Sequence, residues 1–153
     1  MFQRIQSTAS AAVIAAALVT IPMAASAQTA ARVYDQGPVW AISYVETKPG
    51  MFDDYMAYLN STWSKFQEAG KKRGEVLDYR VLSVNNPRDH EPDVILMIEY
   101  KNMAVFDRSL DEQDKETSTI FGSLPKSNQA AVARENVRLL RGGLDAREIV
   151  FKK

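Results

Sequence analysis

The chain contains no cysteine. That one absence removes disulfides, thiol nucleophiles, Cys-based zinc sites and iron–sulfur ligation together. Net charge is missing as well, because 19 Lys and Arg offset 19 Asp and Glu. There is thus no global electrostatic reason to expect nucleic acid or an anionic membrane as partner. No Ser-His-Asp order, Walker loop or dinucleotide glycine pattern occurs, and the only histidine is His90. What is present is ordinary globular composition, 46% hydrophobic and 25% charged over 153 residues. That length suits one domain with a core large enough to need no disulfides.

The N-terminus reads as a targeting segment. Arg4 supplies a short positive region, residues 11–21 are an apolar run, Pro22 breaks it, and Ala25-Ser26-Ala27 offers the small residues that a signal peptidase reads. Cleavage is expected between Ala27 and Gln28, which makes 1–27 a signal peptide and the mature protein periplasmic or secreted. The competing reading is an uncleaved anchor, but spanning a bilayer takes about 20 apolar residues and this run is much shorter, so stable membrane insertion is not expected. Lipidation at the cleavage site would need a cysteine. Residues 28–38 are expected to form a flexible leader closed by Gly37-Pro38, with the domain running over 39–153.

Within that domain, residues 39–66 carry the strongest pattern. Trp40, Ile42 and Tyr44 alternate with Val39, Ala41 and Val45, so both faces of this strand are apolar and both need cover. Lys48-Pro49-Gly50 then leads into a helix, with Gly50 as its N-cap and Asp53 and Asp54 in the first turn, where negative charge complements the helix dipole. Phe52, Tyr55, Met56, Leu59, Trp63 and Phe66 recur at spacings of three and four and build one wide apolar stripe. Lys71, Lys72 and Arg73 suit the C-terminal end, and Gly74 can take the left-handed conformation that stops the helix.

A second strand is expected over 76–84, more polar on one face, and a third over 93–100, where Val94 to Ile98 are uninterrupted by polar residues. Residues 85–92 form a loop between them. Asn102 is expected to cap a helix through Phe121, Pro125 to open another stretch through Leu139 and Leu140, and Gly142-Gly143 to end it before a terminal strand over 146–151. This order is the split βαβ arrangement of an α+β, ferredoxin-like βαββαβ fold with an antiparallel sheet ordered four, one, three, two. The two central strands of that sheet are the two most apolar ones, and the charged strands fall at its edges.

Lys48-Pro49-Gly50 followed by Phe52, Asp54 and Tyr55 on a helix, with Trp63 later on it, resembles the dimeric alpha-beta barrel superfamily. That group includes antibiotic-biosynthesis monooxygenases and related stress-responsive proteins. The resemblance implies a homodimer in which two sheets pair face to face as a dimeric α/β barrel across a two-fold axis, burying the second face of the first strand. It does not imply one chemistry, since the group includes enzymes, haem binders and proteins without known activity. Haem-degrading members rely on an Asn, a Trp and a helical His, and His90 lies in a loop instead.

The candidate ligand-binding residues are Trp40, Tyr44 and Tyr79 on the strands, Arg80 as a polar handle, and His90 among Asp89, Glu91 and Asp93. The plain structural alternative for the aromatics is core and dimer contact. For His90 it is a solvated loop side chain, and for the acidic run Asp111, Glu112, Asp114 and Glu116 a solvated helix face. No cofactor and no metal is expected. The expected function is that of an exported protein, stress-associated or binding a small apolar or aromatic molecule. The alternatives are a cofactor-independent or haem-related monooxygenase and a non-catalytic scaffold.

Overall fold

Strand β1, Tyr34–Thr47, is the spine of the structure, a computed structural model that describes residues 31–153. The expected signal peptide, its cleavage site and residues 28–30 of the leader lie outside the described residues. Four strands, β1, β2 (Val76–Ser83), β3 (Val94–Tyr100) and β4 (Arg138–Phe151), form one antiparallel sheet in the order β2-β3-β1-β4. Helices follow β1 and β3, so the architecture is the expected ferredoxin-like one.

The strand alternation sorts the sheet into two faces. Val39 and Val45 of β1 and Val94 and Leu96 of β3 are buried, and Val45, Val94 and Leu96 meet Tyr55 and Leu59 of the helical segment after β1 in one core. In register with them on the opposite face stand Trp40, Ile42 and Tyr44, opposite Glu99, Met97 and Ile95. No helix of the described residues is long and apolar enough to cross a membrane.

The helix after β1 is built in three parts: α1 (Phe52–Tyr58), a π-helical turn (Leu59–Trp63) and α2 (Ser64–Arg73). Met51 is its N-cap, while Gly50, at φ 78°, makes the preceding turn and is not the cap that the sequence suggests. The end is as expected: Gly74 is left-handed at φ 73° and its N–H reaches back to the last turn. The π turn adds one residue to the helical repeat and so delays the inward stripe by one position. The fully buried positions run Tyr55, Leu59, then Gln67 and Gly70, with Trp63 and Phe66 only partly covered.

Four boundaries differ from the sequence reading. Residues 34–38 are not leader but strand, paired with Ile149, Val150 and Phe151 of β4, and Gly37-Pro38 sits at a register shift between Gln36 and Val39. The single helix expected after Asn102 is two elements, a 3-10 turn (Met103–Asp107) and α3 (Leu110–Phe121). Ser109 and Glu112 form a reciprocal capping box that starts the second one afresh. Helix α4 (Leu124–Arg134), capped by Ser123, stops short of Leu139 and Leu140. Those two leucines already belong to β4, which also absorbs Gly142-Gly143. A Cβ on Gly143 would fall 2.6 Å from the Ile42 carbonyl oxygen, so this glycine marks a close approach of two strands and not the end of a helix.

Candidate functional site

The sheet face turned away from the helices is the candidate site. Trp40, Ile42 and Tyr44 of β1 and Ile95 and Met97 of β3 form its centre, flanked by Leu82 of β2 and Leu144 of β4, which pair with Ile95 and Ile42. The last two are 43% and 45% exposed, large values for leucines on a sheet face, and no element of the described residues covers them. Charge collects at one end. The Arg80 guanidinium carbon lies 5.9 Å from the centre of the Trp40 ring, and the Trp40 indole N–H approaches a Glu148 carboxylate oxygen at 3.5 Å. Arg80 also donates to Asp78 at 3.1 Å; this hydrogen bond, with one from the Tyr79 backbone N–H, holds the Asp78 carboxyl below its usual range.

Of the five candidates from the sequence, this face unites three: Trp40, Tyr44 and Arg80. Tyr79 is on the helix side, its ring edge-to-face with Trp63 at 5.4 Å and its hydroxyl donating to Glu68 at 2.8 Å. That bond, with burial second, raises the Tyr79 pKa and keeps the hydroxyl protonated. His90 stands apart in the β2–β3 loop, at φ 63°, with Nε2 3.3 Å from Asp89 and Nδ1 3.3 Å from an Arg141 nitrogen. Its other acidic neighbours turn elsewhere: Glu91 pairs with Arg88, and Asp93 accepts from the backbone N–H and hydroxyl of Thr47. Among the described residues no three His, Asp or Glu side chains are placed to hold a metal ion.

A second concavity was not legible in the sequence. A cleft of about 380 Å³ lies between α2, the Met103–Asp107 turn and α3, with Phe66, Gln67, Tyr100 and Phe106 among its walls. Arg73, Glu75, Arg108 and Glu116 close a ring of alternating charge on its rim, with separations of 2.8 Å (Arg73–Glu75), 2.5 Å (Arg73–Glu116), 2.7 Å (Arg108–Glu116) and 3.8 Å (Arg108–Glu75). Glu116, expected on a solvated face, is thus an inward member of the ring, and its side chain is only 14% exposed. Burial alone would raise its pKa, but hydrogen bonds from Arg108 and Arg73 outweigh it and the carboxyl is held low.

No protein-family model matches the chain, and no curated protein matches it in sequence. Two crystal structures of dimeric ferredoxin-like proteins from uncultured marine organisms are similar in fold. One, at 12% identity and TM-score 0.48, aligns over 78% of this chain and 91% of its own. The other, at 18% identity and TM-score 0.38, aligns over 76% and 98%. The fold assignment itself rests on the strand order and register described above.

Proposed function

We propose that the protein is exported, works as a homodimer that brings two open sheet faces together, and binds a small apolar or aromatic molecule between them. The observation that carries this reading is the apolar sheet face on which half-buried Trp40, Ile42 and Tyr44 lie between exposed Leu82 and Leu144, on a strand whose other face is already core. Exposed patches of this kind mark interaction sites. A second copy suits it because the face is apolar in the middle and carries both signs of charge at one end, Arg80 with Asp78, Glu99 and Glu148, as a self-complementary interface requires.

Trp40 and Tyr44 supply rigid stacking area for the ligand, and Arg80 a polar contact at its edge. Export is supported by the sequence pattern of residues 1–27. Equilibrium dialysis against 1-naphthol tests the binding role. Saturable uptake that Trp40→Leu weakens about tenfold is expected from loss of aromatic stacking; equal uptake by both proteins contradicts it. Oxygen consumption with an oxidisable phenol would move the reading from a binding protein to a monooxygenase.

A further inference from the structure

We propose that the cleft between α2, the Met103–Asp107 turn and α3 is a second binding site, for a neutral ring compound of the lactam or pyridone class that carries one hydrogen-bond donor and one acceptor. Its volume, about 380 Å³, falls in the range of small-molecule sites. Phe66, Tyr100 and Phe106 give it aromatic walls, the last two edge-to-face at 5.0 Å.

Two of the polar groups in those walls, beside the aromatic rings, are a carboxamide oxygen and a hydroxyl without partners among the described residues. Gln67 is only 6% exposed, and its side-chain N–H reaches the Trp63 carbonyl at 3.4 Å. Turning the amide over would set two oxygens against each other, so the Gln67 Oε1 is the atom left without a donor. Tyr100 is the second. Burial raises its pKa first, the carboxylates of Asp145, Glu75 and Glu116 raise it further, and no hydrogen bond contributes. The hydroxyl is therefore protonated at neutral pH and free to donate.

Gln67 and Tyr100 thus give the cleft an acceptor and a donor beside its aromatic surface. It offers no free charge, because Arg73 and Arg108 are each bonded to carboxylates of the rim. An ionic ligand would have to break that ring. A neutral ring that donates to Gln67 and accepts from Tyr100 satisfies both groups and leaves the ring intact. This site lies on the helix side of the sheet, away from the face that carries Trp40, and stands or falls independently of the dimer.

The test is titration of the purified protein with 2-pyridone, followed by amide NMR. Shifts are expected at Gln67, Tyr100 and Val105, with binding weakened about fivefold in Tyr100→Phe and in Gln67→Met, as for loss of one hydrogen bond. N-methyl-2-pyridone, which keeps the acceptor and lacks the donor, is expected to bind the wild type about fivefold more weakly. Trp40→Leu is expected to bind 2-pyridone as the wild type does. The proposal is overturned by an unperturbed native spectrum at millimolar 2-pyridone, by equal affinity for the methylated compound, or by loss of binding in Trp40→Leu with both cleft variants unaffected. The methylation comparison needs no variant to fold.

Discussion

The Glu116 carboxylate accepts hydrogen bonds from two arginines of different segments, Arg73 at the end of α2 at 2.5 Å and Arg108 before α3 at 2.7 Å. Sequence separations of 43 and 8 residues are closed at one partly buried point. This ties α3 to α2, together with Phe66 against Phe121 at 5.8 Å.

Glu116→Gln is therefore expected to cost about 1 to 3 kcal/mol at neutral pH, the range for a lost hydrogen bond to a charged group. The effect has a pH signature. The folded carboxyl titrates below its unfolded value of about 4.5, so its stabilisation is full above that value and is lost as pH falls through it towards the folded one. Urea unfolding of both proteins is expected to show a constant gap above about pH 6 that narrows below pH 4.5. A gap independent of pH would mean that the charge contributes nothing.

Trp63 closes the π turn, packs against the Val45–Tyr55–Leu59 core and meets Tyr79 edge-to-face. Truncation to alanine is expected to lower stability by about 3 kcal/mol, as for other large aromatics packed against a core. Urea midpoints at unchanged slope measure it, and a loss below about 1 kcal/mol would remove Trp63 from the core.

The sheet order and the doubly apolar β1 were legible because period-two alternation and uninterrupted apolar runs record burial directly in residue type. Trp40, Tyr44 and Arg80 could be singled out by residue type, but which face of the sheet they occupy was not legible, because both faces of β1 are apolar and only the placement of the helices decides between them. Tyr79 was misplaced because it alternates with Arg80, so the two cannot share a face. Gln67 was missed because its burial depends on the π turn, which shifts helical phase without a compositional mark. The Ser109–Glu112 capping box was present in the sequence and would have split the long helix correctly. Glu116 could not be found in this way, since Arg73 comes from 43 residues away and Arg108 from beyond the start of α3.

The proposed export predicts where the mature chain begins. Expressed with its own N-terminus in a Gram-negative host, the periplasmic protein is expected to begin at Gln28, read by intact mass and N-terminal sequencing. Retention of residues 1–27 in a membrane fraction would instead support the uncleaved anchor.

The proposed pairing of two open faces is tested most directly by sedimentation equilibrium of the mature protein beside Ile42→Glu. Ile42 lies at the centre of the face, between Met97 and Leu144, where a carboxylate would have to be buried unpaired in the dimer. The wild type is expected at twice the chain mass at micromolar concentration, and Ile42→Glu at the single mass with an unchanged far-ultraviolet circular dichroism spectrum. A wild-type protein that sediments as a monomer at that concentration would contradict the account.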